Sequence, residues 1–131
     1  IPGHTSGHIA FYFFKEKKIF TGDTLFSLGC GRIFEGTYEQ MFNSLKKIKD
    51  LPRDTEIYCG HEYTLQNGNF CLTHDSSNLK LKEKIENVKR KLENSLPSIP
   101  TILADEIECN IFLKAKDLKS FSKLRDLKDN F

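Results

Sequence analysis

Three short apolar runs, each bordered by glycine and by a histidine or aspartate, limit what this chain can fold into. Residues 9–14 follow Pro2-Gly3-His4-Thr5-Ser6-Gly7-His8, residues 19–21 lead into Gly22-Asp23-Thr24, and residues 56–59 lead into Gly60-His61-Glu62-Tyr63. Short β-prone runs bounded by glycine predict strands. Side chains carried on turns at strand ends can converge while the sheet behind them stays rigid. Imidazole and carboxylate together suit zinc, iron or manganese. The pattern points to a metal site assembled from three loops, with His4, Asp23 and His61 as candidate ligands. A lone histidine on a turn is ordinarily just solvated; recurrence at three strand ends gives these residues their weight. His8 is separated from His4 by Gly7 and precedes a strand, so it is expected to support the site rather than ligate.

In chain order, residues 9–14 are apolar on both faces, which predicts a strand covered on both sides. A charged turn, Lys15-Glu16-Lys17-Lys18, precedes its partner strand. Residues 25–36 form a glycine-bearing loop, too apolar at Phe26, Leu28, Ile33 and Phe34 to stay solvated, expected beside the site. Thr37-Tyr38-Glu39-Gln40 reads as a capping box opening a helix over 38–51. Met41, Phe42, Leu45 and Ile48 face its core side, and Lys46, Lys47 and Lys49 mostly face water. Further helices are predicted over 65–72 and 78–95, with Pro97 and Pro100 breaking the second. A short helix is expected to start at Thr101, and a last one to run over 117–131. In the last, Leu118, Phe121, Leu124 and Phe131 share a side, with Arg125 and Lys128 together on a neighbouring face. A strand-rich first part and a helical second part predict an α+β architecture.

Composition excludes several classes. The 131 residues suffice for one moderate core. With 38% apolar and 29% charged residues and no long apolar stretch, the chain reads as soluble and globular, without a membrane partner. A formal charge of +2 is too small to argue for nucleic acid. Cys30, Cys59, Cys71 and Cys109 show no C-x-x-C spacing, which predicts free thiols in a reducing, cytoplasmic compartment. No Ser-His-Asp or Cys-His nucleophile is suggested.

The motifs Pro2-Gly3-His4-Thr5-Ser6-Gly7-His8, Phe20-Thr21-Gly22-Asp23-Thr24-Leu25-Phe26 and Tyr58-Cys59-Gly60-His61-Glu62-Tyr63 resemble those of the metallo-β-lactamase superfamily. Within it, the chain is similar to glyoxalase II, the hydroxyacylglutathione hydrolases. Gly29-Cys30-Gly31-Arg32 and the tail to Phe131 carry that narrower likeness. The resemblance implies that residues 1–64 are the C-terminal part of an αβ/βα sandwich and 65–131 a helical substrate-binding module. It implies two divalent metal ions, with His4 on one, His61 on the other, and Asp23 bridging both and serving catalysis. The other four ligands would come from an upstream Thr-His-x-His-x-Asp-His motif, which these residues lack. The expectation is therefore the C-terminal part of a longer enzyme. On its own the chain would be inactive, without stably bound metal, and self-associating unless the N-terminal half is supplied.

The parent enzyme would hydrolyse the thioester S-D-lactoylglutathione to D-lactate and glutathione through a hydroxide held by the two metals. Glutathione would be fixed by Arg32, Phe34, Tyr63, Arg125 and Lys128. Arg32 stands where lysine is commoner in the family; it keeps the charge and adds bidentate geometry. Phe34 replaces a tyrosine and forfeits one hydrogen bond, worth about 0.5–1.5 kcal/mol. Readings from other classes are a non-catalytic glutathione-binding or structural fragment, and a related hydrolase or sulfur dioxygenase of the same superfamily.

Overall fold

The computed structural model describes residues 1–131, with four strands first, then helices interrupted by two further strands. The first elements are β1 (Phe11–Phe13), β2 (Lys18–Gly22), β3 (Leu25–Phe26), β4 (Gly29–Cys30), α1 (Tyr38–Lys49) and β5 (Glu56–Cys59). There follow α2 (Thr64–His74), α3 (Leu79–Glu93), β6 (Thr101–Ile102), α4 (Leu103–Cys109), α5 (Ile111–Lys114) and α6 (Leu118–Asp129). The main sheet has the order β1-β2-β5-β6. β2 and β5 run parallel, and the other two pairings are antiparallel.

The period-2 alternation of strand side chains gives this sheet two unlike faces. Ile19 and Ile57, paired across β2 and β5, are buried on the core face. Phe11, Phe20 and Tyr58 follow one another across the opposite face, joined diagonally by Phe13. Phe20 stacks on Tyr58 with centroids 4.9 Å apart, and Phe13 meets Phe20 edge-on at 5.9 Å. This aromatic strip is left bare: Phe11 is 61% exposed and Phe13 50%. The first strand is thus a three-residue exposed edge rather than the doubly covered 9–14 strand expected for it.

Two further differences from the sequence expectations matter for the site. Residues 25–36 were expected as a loop; Leu25–Cys30 instead folds as a hairpin, with Leu25 opposite Cys30 and Phe26 opposite Gly29. Residues 24 to 31 are all buried. Thr101, expected to start a helix, pairs in β6 with Ile57. The β-branched pair Thr101-Ile102 covers the free edge of β5, so the second part of the chain adds a strand to the sheet. The helix starts only at Leu103.

Elsewhere the local signals act as expected. Thr37 and Gln40 form the capping box of α1, and Asn78 caps α3 through its side chain. α1 stops at Lys49, whose ammonium turns in to donate to the Leu113 carbonyl at 2.8 Å. The short helix α5, absent from the sequence expectations, opens on Asn110, whose side-chain oxygen accepts the Phe112 N–H at 3.0 Å. Met41, Leu45 and Ile48 of α1 join Ile57, Phe70, Leu81, Phe112 and Phe121 in one core. All four cysteines are free thiols. No helix is long and apolar enough to cross a membrane.

Candidate active site

Because β2 and β5 are parallel, their carboxyl ends open on the same edge of the sheet, where loops can converge. Gly60 donates its N–H to the Gly22 carbonyl over 2.8 Å and ties the two ends together. The β2–β5 register slips just before this point: Phe20 lies opposite Tyr58, but Gly22 lies opposite Cys59. Thr21 is the extra residue, and such a bulge re-aims the side chains beyond it. Gly22 has φ +54°, and a Cβ there would lie 2.5 Å from His8 Nε2, so glycine is required on both counts. His8 Nε2 accepts the Asp23 N–H at 3.1 Å. The imidazole thus fixes the backbone of Asp23.

His4 arrives on a segment pinned from three directions. Ser44 donates to the Pro2 carbonyl at 2.7 Å, Thr24 to that of Ile1 at 3.2 Å, and the Gly36 N–H to that of Gly3 at 3.2 Å. His4 Nδ1 lies 2.7 Å from the Arg32 carbonyl. A carbonyl only accepts, so Nδ1 carries the proton and a neutral ring has its lone pair on Nε2. That nitrogen faces Asp23 Oδ2 at 3.5 Å. Two lone pairs facing each other favour a shared cation, a proton or a metal ion. Two ligands bonded at zinc distances to one tetrahedral ion lie about 3.4 Å apart, so the spacing fits. On the other carboxylate oxygen, His61 Nδ1 meets Asp23 Oδ1 at 2.9 Å.

No group of three or more His, Cys, Asp and Glu side chains is placed to share one ion. The contacts are pairwise, each imidazole against its own oxygen of Asp23. The donor types suit divalent ions, but one imidazole and one oxygen fall short of a catalytic zinc's usual three protein ligands, and His61 Nδ1 at 2.9 Å from Asp23 Oδ1 stands at hydrogen-bond distance rather than at the spacing of two ligands on one ion.

A cleft of about 410 Å³ opens beside these residues, and His4, Asp23, Arg32, Phe34, Tyr63, Arg125 and Lys128 are among its walls. His61 stands behind it, stacked on Tyr63 with centroids 4.9 Å apart and planes within 5°. Phe26 meets Tyr63 edge-on at 5.1 Å, and Phe34, largely exposed, does the same to His4 at 5.1 Å. The structure therefore brings all eight nominated residues to one place.

The two tail cations differ in surroundings. Arg125, placed by sequence on a face shared with Lys128, is only 2% exposed. Its Nη1 donates to the carbonyls of Cys30 at 2.5 Å and Gly31 at 3.1 Å. Its Nε and Nη2 reach Asp129 Oδ1 at 3.2 and 2.9 Å. A guanidinium has five N–H donors, and these contacts engage all but one. Burial holds Lys128 below the ordinary lysine range, and the like charges of Arg125 and Arg32 push it the same way. A cation so placed gains by meeting an anion. Asp129 was not singled out by sequence, although its spacing of four from Arg125 on a helix was a usable signal.

The fold is that of the metallo-β-lactamase superfamily, whose model matches residues 1–61. ETHE1 from Myxococcus xanthus shares it with a TM-score of 0.63 at 24% identity, over 95% of this chain and 42% of that one. A metallo-beta-lactamase from Staphylococcus aureus subsp. aureus COL does so with a TM-score of 0.58 at 22% identity, over 97% and 37%. At these identities the likeness is one of fold.

Residues 62–131 match the model described as hydroxyacylglutathione hydrolase C-terminus. A protein of Pelagibacter ubique (strain HTCC1062) named hydroxyacylglutathione hydrolase is 65% identical over 131 residues, all of this chain and 55% of its own length. The protein of that name in Prochlorococcus marinus (strain MIT 9301) is 52% identical over 130 residues, covering 98% of this chain and 53% of itself. The chain belongs to the hydroxyacylglutathione hydrolase family. It spans about half the length of the curated relatives it matches.

Proposed function

We propose that the whole protein hydrolyses hydroxyacylglutathione thioesters, S-D-lactoylglutathione above all, to the hydroxy acid and glutathione. The observation that carries this is a shared cleft: His4 and Asp23, with His61 behind, stand beside the cationic wall of Arg32 and Lys128. Glutathione brings carboxylates for such a wall, and its acyl thioester would then lie toward Asp23.

His4, Asp23 and His61 would supply ligands to two divalent ions, the further ligands lying outside these residues. Zinc, iron and manganese all accept this donor set. When bound, such a pair supplies Lewis acidity toward a carbonyl and lowers the pKa of water. Asp23 spaces the two imidazoles, and His8 keeps Asp23 in place. Arg32 and Lys128 take carboxylate, while Tyr63 and Phe34 offer ring surface on either side. Arg125 holds the wall at Cys30 and Gly31 with one N–H to spare. In hydrolysis the water oxygen joins the acyl carbon, the C–S bond breaks and a thiolate leaves. A thiol pKa of about 8.5 makes that leaving group stable enough to need no dedicated acid.

Under this reading residues 1–64 carry the ligands with Arg32, Phe34 and Tyr63 of the substrate cleft, and 65–131, the helical substrate-binding module, complete the cleft through Arg125 and Lys128. The bare aromatic strip of β1, β2 and β5 is the surface on which the rest of the whole protein packs.

Release of free thiol by the whole protein, purified with its metals, tests the proposal. S-D-lactoylglutathione should be turned over far faster than the same acyl group on N-acetylcysteamine, which has no carboxylates. Equal kcat/KM on both would remove glutathione from the proposal, and no turnover of either would remove the hydrolase.

A further inference from the structure

Glu106 of α4 is completely buried and none of the roles above uses it. Its Oε1 accepts from the Leu28 N–H at 2.7 Å and from Asn110 Nδ2 at 3.1 Å. Its Oε2 accepts from the hydroxyls of Ser27 at 3.1 Å and Thr101 at 2.7 Å, with Lys84 Nζ 3.6 Å away. An ionised carboxylate offers about four acceptor sites, and here each is occupied. Two of the donors belong to one turn, Ser27-Leu28, which joins β3 to β4.

That turn is strained. Leu28 has φ +61°, a region where a bulky side chain is an outlier. Such conformations persist only where the surroundings over-determine them. Glu106 holds the Leu28 N–H, the Cys71 thiol meets its carbonyl at 3.2 Å, and its side chain is fully buried. Asn67 Nδ2 donates to the Ser27 carbonyl at 3.2 Å, and Asn110 Nδ2 to that of Gly29 at 3.1 Å.

The other end of this hairpin is the cleft. It sets Phe26 edge-on to His61 and Tyr63. It leads to Gly31, whose N–H donates to the Thr24 carbonyl at 3.1 Å, and then to Arg32. Glu106 itself lies outside the cleft lining.

We propose that Glu106 is a positioning residue for the cleft: by fixing the Ser27-Leu28 turn, it sets where Phe26 and Arg32 stand against His61 and Lys128. The proposal rests on the cleft being the thioester site. A carboxylate suits the task because it takes several donors from different elements at once, tying the hairpin to α3, α4 and β6.

The test uses the whole protein with its metals. Glu106→Asp is one methylene short and cannot keep both Leu28 and Thr101. It is expected to raise KM for S-D-lactoylglutathione about tenfold, the scale of one lost charge-assisted hydrogen bond, with kcat nearly unchanged. Glu106→Gln keeps the length and an oxygen for Leu28, and should recover most of that loss. A lower melting temperature with unchanged KM in both folded variants would overturn the proposal.

Hydrogen exchange gives a second readout that does not depend on turnover. In Glu106→Asp the amides of Leu28 and Gly31 should exchange faster together, although they sit at opposite ends of the hairpin. Faster exchange at Leu28 alone would overturn the positioning role, even if the wild-type protein proved to lack thioesterase activity and the proposed function itself had failed. Ser27→Ala removes one donor and leaves the charge paired. It is measured in the same way and keeps the test decisive should the aspartate variant not fold.

Discussion

Arg125 donates to the carbonyl of Cys30 across 2.5 Å, joining the last helix to a hairpin 95 residues earlier. The same Nη1 reaches the Gly31 carbonyl, and Asp129 balances the charge from the other side. Arg125 therefore works as a joint in the cleft wall. Arg125→Met leaves two buried carbonyls unpaired and should cost about 1–3 kcal/mol in denaturant unfolding. Asp129→Asn should cost less, because Asp129 is partly exposed and such pairs contribute little. Unfolding of Arg125→Met within error of wild type would show that the carbonyls find other partners and that the joint is dispensable.

Lys128 has the contrasting role. Burial and the charges of Arg125 and Arg32 hold its pKa down, so an anion is its natural partner; under the proposed function that anion is a substrate carboxylate. Lys128→Gln is expected to raise KM about tenfold, as for one charge-assisted hydrogen bond. Its kcat should stay within a small factor, because the contact lies away from the reacting carbon. Tyr63→Phe removes only a hydroxyl and should do less. Steady-state kinetics decides: a fall in kcat at constant KM would place Lys128 at the chemistry instead.

His8 supports Asp23 through a backbone contact, with Nε2 accepting the Asp23 N–H. Groups that orient metal ligands typically matter to affinity by about 10–100-fold. His8→Ala in the whole protein should weaken metal retention by an amount in that range, measured by competition with a chromophoric chelator. Retention equal to wild type would mean that Gly22 and the bulge at Thr21 hold Asp23 unaided.

Most residues of the candidate site were legible in the sequence, since they lie on strand ends and strand ends have a local signature. His4, Asp23 and His61 were legible from Gly-flanked apolar runs, and the strand over Glu56–Cys59 was found to the residue. The Thr37–Gln40 capping box was legible for the same reason: both partners lie within four residues. What stayed hidden depends on contacts between distant segments. Nothing local in Leu-Arg-Asp-Leu-Lys says that Arg125 is buried, because its partners are carbonyls at Cys30 and Gly31. Likewise Thr101-Ile102 looked like a helix start, since the open edge of β5 that turns it into a strand lies more than forty residues away. The Leu25–Cys30 hairpin escaped because Ser27-Leu28 is an unusual turn pair, stabilised from outside by Glu106 and Cys71.

Asp75 lies just beyond α2 and accepts from Lys114 at 2.7 Å and Asn78 at 2.9 Å. These hydrogen bonds, Lys114 first, hold its carboxyl below the ordinary aspartate range. The folded state therefore binds the proton less readily than the unfolded chain, where the pKa is about 3.9. Its contribution is complete above that value and is lost as pH falls through the lower folded value. Lys114 is well exposed, so the size should be about 1 kcal/mol or less. Asp75→Asn should be destabilised at neutral pH by that amount and should lose less stability than wild type between pH 5 and pH 2. Parallel curves of unfolding free energy against pH for the two proteins would refute this.

The aromatic strip sets the behaviour of the 131-residue chain by itself. Phe11, Phe13, Phe20 and Tyr58 line one sheet face, and β1 is an edge strand whose three residues are all exposed. Contiguous apolar faces are surfaces that soluble monomers usually keep small. An open edge adds unpaired N–H and C=O groups that template further pairing. Lys18 and Glu56, 3.8 Å apart, provide the nearby charge and leave the aromatic rings uncovered. The chain alone is expected to self-associate, with an apparent mass in sedimentation velocity that rises with concentration. Phe13→Lys places a charge on both the face and the edge, and should shift the population toward monomer without changing the far-ultraviolet circular dichroism. A wild-type chain that stays monomeric at high concentration would show that the strip is too small or too well solvated to drive association.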